Sequence, residues 1–324
     1  MQATLLQHST TSLVIDEPLL LEGGGILPQV TINYTTAGEL NEDRSNVVWV
    51  FHALTANSDP LEWWPELFGE GRLFDPEQHF IICANMLGSC YGSTAPEDYH
   101  FPIITIHDMV KVHKMLRDHL GIERVKVGIG GSMGGQQLLE WAVQEPSFFE
   151  TIIPVATNAR HSPWGIAFNE AQRMALNNKD KEKGLEAARA IAMLSYRHYH
   201  TYDQTQNDED QRWDHFSAAS YQQYQGYKLR KRFTPESYYY LSKAMDSHHL
   251  GRHFTSIPEA LAGIRSHCIV ISIASDILFP TEEQRYLAEH IPGAQLEVID
   301  SIYGHDGFLV EMEAIEKVLR NFLN

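Results

Sequence analysis

Val125-Lys-Val-Gly-Ile-Gly-Gly-Ser132-Met133-Gly134-Gly135-Gln-Gln-Leu-Leu-Glu-Trp-Ala142 decides how the rest of this chain is read. It opens as a short apolar run with β-branched residues at Val125, Val127 and Ile129, which is strand character. It then breaks into glycine, presents one serine, and resumes with helical spacing. Gly130-x-Ser132-x-Gly134 is the pattern of a nucleophile elbow, where glycines let a strand turn sharply into a helix and leave the serine exposed above a sheet. The N-terminal N–H groups of the following helix then face the same spot and favour a developing oxyanion. Two rival glycine readings fail on single residues. A dinucleotide fingerprint starting at Gly128 needs Gly or Ala where Met133 stands. A phosphate loop starting at Gly130 needs Lys where Gln136 stands.

Working outward, buried parallel strands are expected on both sides. Val47-Val-Trp-Val-Phe51 is apolar throughout, as a strand covered on both faces requires, and it ends in His52-Ala-Leu-Thr55. The loop after this strand normally supplies the second oxyanion donor, which nominates the Leu54 N–H beside that of Met133. Phe80–Ala84 is the next strand, and the glycine-rich loop 85–96 after it suits a site wall. A helix is expected over 104–120, stopping at Gly121, and a strand over Thr151–Val155. Nearer the start, 12–15 and 30–36 read as strands joined by a turn at Gly23-Gly24-Gly25.

From 157 to 257 strand signals vanish and helical spacing takes over, which reads as a helical lid inserted into a core made of 1–156 and 258–324. Sheet character returns at Cys268–Ile273 and Gln295–Ile299, with a helix between them and a final amphipathic helix over 308–322. Strands alternating with helices imply an α/β fold with a mostly parallel sheet and helices on both faces.

Ser132, Asp276 and His305 occur in the order nucleophile, acid, histidine, each just past the end of an expected strand. All three would meet at one sheet edge. Ser132 needs His305 as its base, and Asp276 fixes the imidazole tautomer. Asp300 and Asp306 are rival acids close to His305 in sequence, but neither follows the strand that carries the acid in this order. Cys90 has no elbow around it. The histidines at 198/200 and 248/249/253 lack a nearby Cys or carboxylate set, so packing is the expected role and no metal is assigned. Basic residues at Lys179, Lys181, Lys183 and 228–232 read as solvated charge that would also suit an anionic substrate.

The 324 residues carry a net charge of −17 with no basic stripe, which argues against nucleic-acid binding. No apolar run reaches the ~18 residues of a membrane span. The first residues lack the basic and apolar regions of a signal peptide. Three widely spaced cysteines suit reduced thiols, so a cytoplasmic location is expected.

His52–Thr55, Asn85–Pro96, Gly131–Gly135 with Glu140-Trp141, Ala159–Ser162 through Phe168-Asn-Glu, Tyr224–Gly226, Ser275-Asp276 and Tyr303–Glu311 span most of the chain. Together they resemble the homoserine O-acetyltransferase family, acyl-CoA-dependent α/β-hydrolase-fold enzymes of methionine biosynthesis. The resemblance implies a ping-pong reaction in which Ser132 takes an acyl group from acetyl-CoA, a co-substrate rather than a bound cofactor, and passes it to the homoserine hydroxyl. It also implies that Arg189 pairs with the amino acid's carboxylate, that Tyr196, two helical turns on, lines the same pocket, and that Asp306 lies near the ammonium. A homodimer through the lid follows from the same resemblance. A succinyl donor, a serine acceptor, and an esterase with the same triad stay open as alternatives.

Overall fold

The computed structural model describes residues 8–323. The signal-peptide reading therefore lies partly outside the described residues. The strands are β1 (His8–Ile15), β2 (Leu19–Leu20), β3 (Ile26–Leu27), β4 (Val30–Ala37), β5 (Val47–Phe51), β6 (Phe80–Ala84), β7 (Val125–Gly131), β8 (Phe149–Val155), β9 (His267–Ile273) and β10 (Gln295–Ile299). Eight of them form one sheet in the order β1-β4-β6-β5-β7-β8-β9-β10. β4 is antiparallel to both of its neighbours, and every other pairing is parallel.

The helices are α1 (Pro60–Trp63), α2 (Ile106–Leu120), α3 (Met133–Gln144), α4 (Pro163–Leu176), α5 (Lys181–Tyr196), α6 (Tyr199–Thr205), α7 (Ser217–Arg230), α8 (Pro235–Asp246), α9 (Ile257–Ala262), α10 (Thr281–His290), α11 (Gly307–Val310) and α12 (Met312–Leu323). α2 shows how local chemistry sets an element. Thr105 and Asp108 form a reciprocal capping box, and Gly121 ends the helix at φ 62°.

β5 is the hinge of the topology. Successive side chains on a strand face opposite ways, so Trp49 and Phe51 join one core cluster while Val48 and Val50 join the other. Each such burial contributes roughly 1.5–3 kcal/mol. β5 lies between β6 and β7, and Phe51 is in register with Gly130. The order reverses at this point, which opens a crevice beyond the strand ends.

Two expectations need correcting. The Gly23–Gly25 turn does not join the two long early strands directly. It closes a small separate hairpin, β2–β3, while β1 and β4 pair around it. The closing helix is also broken at Glu311. The Trp64 indole N–H donates to the Phe308 carbonyl at 3.0 Å, so that carbonyl is diverted from the helical ladder and a new axis starts at Met312.

Between β8 and α9 the chain is helical, and its two ends are tied together. His161 N–H donates to His248 O at 3.0 Å, and Leu250 N–H donates to Ala159 O at 3.0 Å, around an isolated bridge between Arg160 and His249. Inside this insertion the buried Arg173 of α4 reaches Asp246 at 2.6 Å and Ser242 Oγ at 3.1 Å. No helix among the described residues is long and apolar enough to cross a membrane.

Candidate active site

Ser132 sits between the last residue of β7 and the first of α3 with φ 56° and ψ −124°. A non-glycine residue in this region stores on the order of 1–3 kcal/mol. The neighbouring backbone forces it. A Cβ on Gly134 would lie 2.0 Å from the Phe51 carbonyl oxygen, so only glycine lets α3 begin this close to the end of β5. Ser132 N–H donates to Val155 O at 2.9 Å, and Thr157 Oγ1 donates to Ser132 O at 2.8 Å. The turn is therefore pinned from β8 as well.

Asp276 follows β9 and His305 follows β10. The structure brings both to Ser132. His305 Nε2 is 2.9 Å from Ser132 Oγ, and His305 Nδ1 is 2.6 Å from Asp276 Oδ2. The other carboxylate oxygen, Oδ1, accepts the N–H groups of Leu278 at 2.8 Å and Phe279 at 2.9 Å. Three donors fix the Asp276 carboxyl group in place; Nδ1–H of His305 is one of them, and Nε2 then presents its lone pair to the serine hydroxyl. Ser132, Asp276 and His305 are all buried. The imidazole is packed among Phe279, Phe308 and Tyr196, with ring centroids 5.0, 5.1 and 5.7 Å away. Asp300 and Cys90 take no part. The Cys90 thiol is pushed up by burial, which opposes a thiolate.

Met133 is the first residue of α3, and Leu54 lies in the turn after β5. Among the described residues neither N–H has a hydrogen-bond partner. The shape of the Leu54 turn depends on His52, which sequence reasoning quoted but gave no role. His52 Nδ1–H donates to Ala53 O at 2.8 Å, and Nε2 accepts the Met86 N–H at 3.0 Å. Burial pushes its pKa down to about 4, so it stays neutral and keeps both bonds. It ties the Leu54 turn to the 85–96 loop. The buried histidine followed by an apolar turn was the only available signal.

The insertion covers the row from two sides. At the α5–α6 junction, Thr201 Oγ1 donates to Ile302 O, and Arg197 Nε is 2.8 Å from Asp306 Oδ2. Gly304, at φ 66°, presses against the same junction, where an added Cβ would lie 2.8 Å from His198 N. At the α7–α8 turn, Arg232 donates to Thr55 O and to Tyr91 Oη. Arg189 and Tyr196 share one face of α5, with the guanidinium 5.1 Å above the ring. Among the described residues Arg189 has no carboxylate partner. Asp306 is adjacent in chain to His305, but its charge is already met by Arg197, a partner that no sequence pattern announced. The basic run at 228–232 is mostly engaged as well, since Arg230 pairs with Glu182 at 2.5 Å and Glu186 at 2.6 Å.

The family of the α/β-hydrolase fold matches residues 46–311. The homoserine O-acetyltransferase of Cyclobacterium marinum is 47% identical over 325 residues, covering 94% of this chain and 93% of that protein. The homoserine O-acetyltransferase of Chlorobaculum tepidum is 41% identical, covering 98% and 96%. Among solved structures, homoserine O-acetyltransferase from Staphylococcus aureus superposes with a TM-score of 0.86 at 27% identity, covering 98% of this chain and 95% of that one. Esterase E22 superposes with a TM-score of 0.89 at 20% identity over 98% and 100%, a likeness of fold alone. With the elbow, the histidine loop and the insertion all inside the matched length, the chain belongs to the homoserine O-acetyltransferase family of the α/β-hydrolase fold.

Proposed function

We propose that this protein is a homoserine O-acetyltransferase that moves an acetyl group from acetyl-CoA to the hydroxyl of L-homoserine through an acyl-Ser132 intermediate. The observation that carries the reading is the continuous row Ser132–His305–Asp276 beneath a roof whose Arg189 has no acid partner. In the first half-reaction His305 takes the Ser132 proton as Oγ attacks the thioester carbonyl. The N–H groups of Leu54 and Met133 receive the oxyanion, and CoA leaves as its thiol with the proton from His305. In the second half-reaction His305 deprotonates the homoserine hydroxyl, which attacks the acyl-enzyme carbonyl; the Ser132 Oγ–acyl bond breaks, His305 returns the proton to Ser132 Oγ, and O-acetylhomoserine leaves.

Arg189 suits a carboxylate by its planar fork of donors, and Tyr196 lines the same pocket. Asp306 lies beside His305 and Arg197, so its hold on an ammonium group is shared with that ion pair. Water competes with homoserine for the acyl-enzyme, and a transferase must exclude it. A helical insertion over the row and an Arg189 suited to an amino-acid carboxylate support transfer over hydrolysis. Residues 157–257 act in this reading as a lid on a core of 1–156 and 258–324. Exposed apolar side chains on the insertion, Met174, Leu194, Tyr199 and Trp213 among them, support a homodimer through that face. A light-scattering mass equal to a single 36.9 kDa chain would refute the dimer.

The deciding experiment follows free CoA thiol and O-acetylhomoserine with acetyl-CoA, with and without L-homoserine. Thiol release that depends on homoserine and matches product formation is expected. Release indifferent to homoserine makes the protein an esterase-type hydrolase, and faster turnover with succinyl-CoA or L-serine reassigns the donor or the acceptor.

A further inference from the structure

The loop of the β2–β3 hairpin, the first turn of α2 and the segment after α8 meet at a second cluster of titratable side chains, and none of its members belongs to the acyl-transfer row. One ligand atom from each of Glu22, His107 and His253 lies within 4.8 Å of the other two. They surround a void of about 10 Å³, which has room for one small ion or water.

The surrounding hydrogen bonds prepare these side chains as ligands. His107 Nδ1–H donates to Glu140 Oε1 at 2.9 Å, and that oxygen also accepts the Gln144 amide at 2.7 Å. A carboxylate holding one imidazole nitrogen leaves the other with its lone pair free and more basic, which is the outer-shell arrangement of metal-bound histidine. His253 Nε2 and Glu22 Oε1 hydrogen-bond to each other at 2.9 Å, a direct contact that an entering ion would replace with a slightly wider spacing.

His248 lines the same void and is 3% exposed. Its Nε2–H donates to Asn158 O at 3.0 Å, so Nδ1 carries a lone pair, and that buried atom has no partner. One cation lies close: Arg252 Nε is 3.5 Å from Glu22 Oε1. Its side chain is 41% exposed and also donates to Ser247 O, so it can turn outward.

We propose that Glu22, His107 and His253 bind a divalent first-row transition ion of the zinc type, with Glu140 orienting His107. Two imidazoles and one carboxylate select such an ion over magnesium or calcium, which demand more oxygen ligands. The ion fastens the returning end of the insertion to the hairpin and α2, three segments far apart in sequence. Sequence reading missed the set because the carboxylate stands 231 residues from His253.

The test uses the full chain, stripped with a chelator and titrated with ZnCl2 by calorimetry, alongside metal analysis and thermal unfolding. One zinc per chain is expected, with a rise in Tm on addition. Affinity should fall at least tenfold in His107→Gln and in Glu22→Gln, and the zinc-dependent rise in Tm should vanish in both. Glu22→Gln preserves size, so it reports on the site if His107→Gln does not fold. Three outcomes overturn the proposal: no zinc uptake, uptake unchanged by both substitutions, or equal binding of MgCl2. Because binding is read without substrate, failure here leaves the acyl-transfer assignment untouched, and the reverse also holds.

Discussion

The rim of the sheet and the underside of the insertion face each other across the same chemistry, yet they are built on opposite terms. At the rim every side-chain polar atom of Asp276 and His305 is spoken for, and His52 has both ring nitrogens engaged. Under the insertion Arg189 stands over Tyr196 without an acid among the described residues, and it belongs to a helix held by packing and peripheral ion pairs. A satisfied network fixes a geometry, whereas an unsatisfied cation is an invitation to a ligand. In the function proposed above, bond-making falls to the rim and choice of acceptor to the insertion.

The largest expected effects therefore follow changes at the rim. Ser132→Ala should abolish the burst of CoA thiol, and Asp276→Asn should lower it by about 10⁴-fold, because the imidazole loses its tautomer. Both losses should appear with acetyl-CoA alone, before any acceptor is added. A normal burst in Asp276→Asn would erase the division.

A smaller and more selective effect is expected from Arg189→Ala. Losing one charge-assisted hydrogen-bonded pair to a carboxylate is worth roughly 1.5–3 kcal/mol. The half-saturating homoserine concentration should rise by about 10–100-fold, while the acceptor-free burst stays intact. Equal loss in both halves would place Arg189 in the structural frame instead.

The smallest effect lies beside the rim, at Glu283. Burial is the main cause that raises its carboxyl pKa to about 7, and nearby Asp276 adds to it, despite the Asn158 amide at 2.7 Å. A folded-state value above the unfolded 4.5 means that the native chain holds the extra proton. Stability is then lost as pH rises from about 4.5 to 7. Glu283→Gln keeps an acceptor for Asn158 and removes the charge. It should raise Tm at pH 8 and leave it nearly unchanged at pH 4.5, as thermal melts at the two pH values would show. A larger gain at low pH would reverse the sign of this assignment.

The strand–glycine–serine–helix stretch was legible because the elbow is local: Ser132, its flanking glycines and the ends of β7 and α3 lie within a dozen residues. The three-residue row was legible through chain order, since parallel strands deliver their ends to one edge. Apart from the short β2–β3 hairpin, what resisted reading was non-local. The break at Glu311 depends on an indole 244 residues away in sequence. The partner of Asp306 comes from the end of α5, and the role of His52 needs Met86 from another loop. Helical spacing in 157–257 announced helices, but not that the segment's two ends would pair with each other.

That paired waist between Ala159–His161 and His248–Leu250 has an evolutionary corollary. A module that leaves and rejoins its host at adjacent points behaves like a cartridge. It can be lengthened, trimmed or exchanged without shifting the register of any sheet strand. Selection can then rework the insertion while the Ser132–His305–Asp276 row below is inherited intact.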